Sequence, residues 1–401
     1  MAKNAQHKAR RRRRVGHPAS LCNAALGVFG CNPEGTSALG RHSSLSSLRR
    51  RPVFASSSAL IGGPKRSFAF VPIALTGPSL PRLRAAIVVS LLAALSGTSA
   101  LAGTVQGRRI DAAVANRLRT LDCASVHEAD VRDVLARAGA PRIVLLQGSV
   151  PLVTMEPFAR FLIAMGYPEA RLSNPRDGEL SYSSFADSAR LAGELAFDYE
   201  QTGMEPMLIG HSQGGMLVIR TLYEFAGAFH DALHVVDPAT GETLSRTSIV
   251  DPHNGQLRPV VGLHVAYAAA LATGWLPRLM LGQWDMLSRL RKIPDTVSEF
   301  TGFILPHDPI EGNLLGDSPY KPLGHARVRN VILPGSYHHL TLPLAAHLAS
   351  DPAIRAWIDA WSPQGSAPTP SGDTSNLIHA TDIWYSVKRN WCLQARGLLG
   401  S

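Results

Sequence analysis

Ser212 stands in the segment Met207-Leu-Ile-Gly210-His211-Ser212-Gln213-Gly214-Gly215, where an apolar run meets a Gly-x-Ser-x-Gly pattern and a helical stretch follows. A serine on a sharp turn between strand and helix holds its hydroxyl clear of the backbone, free to attack an acyl carbon. Small residues two before and two after it, Gly210 and Gly214, leave room for that turn. The N-terminus of the next helix sets backbone N–H groups beside the serine, where negative charge develops on an attacked carbonyl oxygen. Acyl transfer is the chemistry such a serine offers, and its neutral hydroxyl needs a base. Two histidines, His338 and His339, lie in the segment Pro334-Gly-Ser-Tyr-His-His-Leu-Thr-Leu-Pro343. The glycine run is not a phosphate loop, because the Gly-Lys-Ser/Thr ending is absent.

The elements that must position Ser212 alternate between helix and strand. Ser125-Val-His-Glu128 reads as a capping box opening a helix to about Ala138, closed by Gly139 and Pro141. Residues 143–146 are a short apolar run of the kind found in a buried parallel strand. Helices are expected over 154–165, 184–200 and 213–227, with a strand over 207–209 between the last two. Asp237-Pro-Ala-Thr-Gly241 and Asp251-Pro-His-Asn-Gly255 are turn signals for hairpin-like excursions. Further strands are expected over 260–265, 301–305 and 328–333, and a closing helix over 342–361. The fold class that follows is α/β, with a mostly parallel central sheet covered by helices on both faces. Residues 267–300 are apolar and broken by Pro277 and Pro294. They read as a small cap or lid, carrying Trp275, Leu276, Leu279, Met280, Leu281, Trp284, Met286 and Leu287. Over a serine site such a cover would suit a medium or long acyl chain; ordinary packing is the other reading.

On the strength of the Gly-His-Ser-Gln-Gly-Gly segment and this strand–helix order, residues 140–362 resemble the α/β-hydrolase superfamily, its lipases and esterases in particular. The resemblance implies an α/β-hydrolase fold, a carboxylic ester hydrolase and no cofactor. It implies the order serine, acid, histidine along the chain. Ser212 is then the nucleophile. The base is a histidine of the loop between last strand and last helix: His339, nearer the helix that Thr341 would cap, is favoured over His338. The acid ends the preceding strand, at Asp308 of Pro306-His307-Asp308-Pro309, with Asp317 in reserve and Asp285 and Asp251 behind it. The resemblance also implies two oxyanion donors. One is the N–H of Gln213; the other lies in Gln147-Gly148-Ser149, where the family often shows His-Gly, and is assigned to Ser149. Thioesterase or acyltransferase chemistry runs on the same parts, and a non-catalytic binding protein on the same fold is the rival from another class.

The chain has 401 residues and a formal charge of +10, but the charge is segregated. Residues 1–102 hold 15 Lys and Arg against one acid, Glu34; the remainder holds 25 against 29. The body is mildly acidic, which removes the main support for a nucleic-acid partner; the partner that the resemblance implies is a small-molecule or lipid ester. Residues 1–80 are a basic low-complexity leader. Within 81–102, Arg82 and Arg84 precede an apolar core and the sequence Ala100-Leu-Ala102, which together describe a secretory signal peptide, or a membrane anchor if uncut. Its late position points to a non-Met start downstream or to a bipartite targeting sequence, since the next methionine is Met155. The mature hydrolase domain is expected over 103–362, followed by a Pro/Ser/Gly linker over 363–375 and a C-terminal helix within 376–401. That helix carries Trp384, Val387 and Trp391 on one face, for docking on the domain or for peripheral membrane contact. Cys123 and Cys392 are either bridged, as an exported protein allows, or two buried thiols. No metal-binding spacing of Cys, His and carboxylates is present.

Overall fold

The computed structural model describes residues 110–274, 283–312, 318–365 and 368–400. The expected leader, signal peptide and Asp317 lie outside the described residues, as do Trp275, Leu276, Leu279, Met280 and Leu281. Nine strands are present among the described residues. In chain order they are Ile143–Leu146 (β1), Met207–His211 (β2), Ser248–Val250 (β3), Leu257–Pro259 (β4), Val265–Leu271 (β5), Lys292–Ile293 (β6), Val297–Ile304 (β7), Lys321–Pro322 (β8) and Arg327–Ile332 (β9). Five of them form one central sheet in the order β1-β2-β5-β7-β9. Every pairing within it is parallel. Strands β3 and β4 form an antiparallel hairpin around the turn at 251–255, and an isolated antiparallel bridge joins Val236 to Thr243 around the turn at 237–241. Both expected excursions are therefore hairpin-like.

Because side chains alternate across a strand, a sheet covered on both faces must feed two cores. Ile143 and Leu145 of β1, Met207 and Ile209 of β2 and Tyr267 and Ala269 of β5 enter one apolar cluster. Val144, Leu146, Leu208, Ala268 and Ala270 enter the other. The helices divide accordingly. They are Ala112–Thr120 (α1), a helix over 128–138 with a π turn at Val131–Leu135 (α2), Glu156–Ala164 (α3), Ser188–Thr202 (α4), Gln213–Phe225 (α5), Pro352–Ala360 (α6) and Leu377–Gly397 (α7). Helices α4 and α5 pack in the second cluster; α2, α3, α6 and α7 pack in the first. Local chemistry sets their ends: Asp187 accepts a hydrogen bond from the Arg190 N–H at the start of α4, and Gly203 closes it at φ +69°.

Several boundaries differ from the sequence reading, for identifiable reasons. The box expected at Ser125 and Glu128 is shifted: the helix begins at Glu128, and the His127 N–H donates to the Asp130 carboxylate at 3.1 Å. The strand expected over 260–265 is instead Val265–Leu271, because residues 260–263 turn while Ala266, Ala268, Ala269 and Ala270 lie in the sheet. Alanine favours helix in isolation, and its small side chain is used here where helices press on both faces of the middle strand. The two ends of the range 267–300 belong to the central sheet, as β5 and β7; Met286 is core and Trp284 is exposed, while 275–282 lie outside the described residues. The closing helix over 342–361 breaks into a 3₁₀ turn at Ala346–Ala349 and the helix α6. There Asp351 caps with its carboxylate and Pro352 takes the first helical position.

Trp384, Val387 and Trp391 of α7 are fully buried, so the C-terminal helix docks on the domain. Arg329 of β9 fixes it with two hydrogen bonds to Asp382, at 2.7 and 2.6 Å. Cys392 of α7 is bridged to Cys123, 269 residues earlier, which resolves the two cysteine readings in favour of a disulfide.

Candidate active site

Parallel strands end on one edge of the sheet, so the loops after β1, β2, β7 and β9 share one rim. Ser212 lies there, between β2 and α5, at φ +53° and ψ −117°. A positive φ is costly for a residue with a Cβ and is kept only where surrounding contacts over-determine it. Here they do. The Ser212 N–H donates to the Leu271 carbonyl at 2.8 Å, and the Thr273 hydroxyl donates to the Ser212 carbonyl at 3.0 Å. The glycines are dictated by space. A Cβ on Gly210 would lie 2.4 Å from the Gly214 carbonyl, one on Gly214 2.1 Å from the Leu146 carbonyl oxygen, and one on Gly215 1.9 Å from the Thr273 hydroxyl.

His339 follows β9 and opens the 3₁₀ turn His339–Thr341; Asp308 follows β7. The structure brings both to Ser212. His339 Nε2 is 2.9 Å from Ser212 Oγ, and His339 Nδ1 is 2.5 Å from Asp308 Oδ2. All three side chains are buried. Burial opposes ionisation of Asp308, but hydrogen bonding to His339, the charge of its imidazolium form, and the N–H groups of Ile310 and Glu311 outweigh it. The carboxyl is held below its ordinary value. A carboxylate at Nδ1 selects the tautomer with the proton there, leaving Nε2 free to accept from the serine.

The other candidates are elsewhere. His338 is exposed, and its carbonyl accepts from the Thr341 N–H. Asp285 pairs with Arg220, and Asp251 accepts from Tyr199 and Arg258. Of the expected oxyanion donors, Gln213 is the first residue of α5 and Ser149 lines a cavity together with Gly148, His211, Ser212 and His339. Neither N–H donates to a protein group among the described residues. Gly148 is more than a turn residue: a Cβ there would lie 3.3 Å from Ser212 Cβ and 3.2 Å from His211 Nδ1. Its loop is anchored by Ser184, which donates to the Gly148 carbonyl at 3.1 Å, and by Ser181, which donates to Gln147 Oε1 at 2.9 Å.

Three further residues escaped the sequence reading. His211, between Gly210 and the serine, donates from Nε2 to the carbonyl of His339 at 2.8 Å. Burial first, and the neighbouring His339 second, push its pKa down to about 3, so it is neutral. Its position inside the motif was the only available signal. The buried Glu311 pairs with the half-buried Arg291 at 2.9 Å, and Glu311 also accepts from the Leu305 N–H, which braces the turn carrying Asp308. No spacing rule marks either.

No cluster of His, Cys, Asp and Glu fit to hold a metal ion is found among the described residues, and no helix among them is long and apolar enough to cross a membrane. In comparisons with known proteins, no family model matches the chain and no curated protein is significantly similar to it.

Proposed function

We propose that this protein is a serine hydrolase of the α/β-hydrolase type that cleaves carboxylic esters through an acyl-enzyme on Ser212. The observation that carries the reading is the hydrogen-bonded line from Ser212 Oγ through both nitrogens of His339 to Asp308. It is supported by the strained turn at Ser212 between a parallel strand and a helix, and by the order serine, acid, histidine along the chain.

In this mechanism His339 takes the Ser212 hydroxyl proton as the oxygen attacks the ester carbon. Asp308, kept ionised, stabilises the imidazolium. The N–H groups of Gln213 and Ser149 hold the oxyanion, a task suited to donors with no partner in the resting protein. Collapse expels the alcohol, which receives the proton from His339 and leaves the acyl group on Ser212. Water, deprotonated by the same imidazole, then releases the carboxylic acid. No cofactor enters. A thiol ester or an acceptor alcohol in place of water would use the same groups. Mapping the residue modified by a fluorophosphonate tests the reading.

We further propose that the protein is exported by a signal peptide over 81–102. The bridge between Cys123 and Cys392 supports this, because disulfides persist in oxidising compartments. N-terminal sequencing of the native protein is expected to read Gly103-Thr-Val-Gln; an intact basic chain recovered from the cytosol would exclude export.

A further inference from the structure

The cavity holding Ser212 and His339 measures about 40 Å³, room for the reacting atoms and little else. A second cavity of about 520 Å³ lies beside it, within the usual range for a small-molecule site. Two hydrogen bonds connect their surroundings. The Gln213 side chain donates to Gln283 Oε1 at 3.0 Å, and Gln283 lines the larger cavity. Ser184 lines it too, and donates to the carbonyl of Gly148, which lines the smaller one. Gln213 Oε1, at this seam, is fully buried and has no hydrogen-bond partner.

The larger cavity is polar. Arg220 donates from Nε to Ser188 at 3.1 Å and pairs with Asp285 at 2.5 Å. Ser188 donates to the buried Glu224 at 2.6 Å, whose other oxygen meets His230 at 2.7 Å. The guanidinium of Arg220 lies 4.4 Å above the Phe229 ring. Arg220 is thus matched by Asp285, Glu224 is hydrogen-bonded by Ser188 and His230, and Asp187, which also lines the cavity, caps α4 through the Arg190 N–H, so a free anion meets carboxylates and a free cation finds most of them already engaged. An alkyl chain would strip water from Arg220 and Glu224 with no hydrogen bond in return. Hydroxyl groups, which donate and accept, suit such a lining, and Phe185, largely exposed at the cavity wall, offers an apolar face.

Resting on the hydrolase reading, we infer that this cavity is a subsite for a hydroxyl-rich group of the ester, of about the size of one sugar ring. Ser212 and Arg220 are eight residues apart, about 12 Å along a helix axis, and helical side chains lean back toward the N-terminus. The polar groups therefore meet the substrate several ångströms from the ester carbon, within the reach of a six-membered ring. Such a group differs from the medium or long acyl chain that an apolar cover over 267–300 would suit, and the esters below distinguish the two.

Two matched pairs of esters test it. On the alcohol side, 6-O-butyrylglucose is compared with cyclohexylmethyl butyrate, of the same ring size without hydroxyls. On the acyl side, methyl gluconate is compared with methyl hexanoate. In one pair the hydroxylated ester should be favoured in kcat/KM by roughly tenfold or more, the worth of one or two hydrogen bonds. That preference should fall by most of its value in both Arg220→Met and Asp285→Asn. A variant that merely weakens the fold would lower both esters together and leave the ratio standing. No preference in either pair, a preference for the apolar ester, or a ratio unmoved by both substitutions would overturn the subsite. p-Nitrophenyl butyrate, which bears neither group, separates the two readings: its hydrolysis, lost in Ser212→Ala, isolates a failure to the subsite, whereas no hydrolysis of any of these esters refutes the hydrolase reading beneath it.

Discussion

His211 Nε2 donates to the backbone carbonyl of His339 across 2.8 Å, so the residue before the nucleophile holds the residue that would deprotonate it. The two rings lie 5.0 Å apart. The arrangement ties the loop after β9 to the end of β2 at the position where imidazole and hydroxyl must meet.

His211→Phe keeps a ring of similar bulk and removes the donor, leaving a buried carbonyl unpaired. The expected result is a loss in kcat/KM of roughly 10- to 100-fold, from one unsatisfied buried group at 1–3 kcal/mol, with Ser212 still open to fluorophosphonate. His211→Gln, which can still donate, should recover part of it. Equal activity in all three proteins would show that the contact does not position His339.

His339→Ala should lower kcat/KM toward p-nitrophenyl butyrate by roughly 10⁴-fold or more, as loss of a triad base does. His338→Ala, at an exposed site, should be nearly silent. Asp308→Asn should cost roughly 10⁴-fold while the fold persists, because an amide favours the wrong imidazole tautomer. The opposite ranking of the histidines would reassign the base, and a mild Asp308→Asn would leave the acid elsewhere.

Much of this was legible in the sequence, and the misses follow a pattern. The Gly-x-Ser-x-Gly segment located the turn, because only glycine fits at Gly210, Gly214 and Gly215 against backbone and Thr273. Strands β1 and β2 were apolar enough to stand out. Strand β5 was not, since its alanines speak for helix until two packed faces demand small side chains. Proline and aspartate at 351–352 cut a helix that periodicity alone would have run together. The role of His211 was hidden because its partner, His339, lies 128 residues away, and Glu311 and Arg291 form a pair that no spacing rule marks. The bounds of the apolar stretch 267–300 were drawn too wide because hydrophobicity marks core and cover alike, and the range contributes core strands at both ends.

Burial predicts a pH dependence of stability. His211 and His379 are both wholly enclosed; His379 donates to the Leu342 carbonyl at 2.9 Å, and burial pushes its pKa down to about 4. With folded values of about 3 and about 4 against 6.5 for the open group, the unfolded chain binds more protons between these limits. Stability is therefore complete above about pH 6.5 and falls on acidification, by at most about 1.4 kcal/mol per pH unit for each histidine. The depressed carboxyl of Asp308 stabilises above its ordinary value and contributes a loss only at lower pH still. Thermal melts between pH 7.5 and 5 should show Tm falling; His379→Phe should flatten the slope. A Tm constant over that interval would mean that these rings are not held neutral.

The central claim is that Ser212 is an activated nucleophile. The folded protein is treated with a fluorophosphonate and digested, and the modified residue is located by mass spectrometry. The account predicts a single adduct on Ser212, absent from Ser212→Ala and greatly slowed in His339→Ala. Folded protein that takes no label, or takes it at another residue with equal speed in Ser212→Ala, would contradict it.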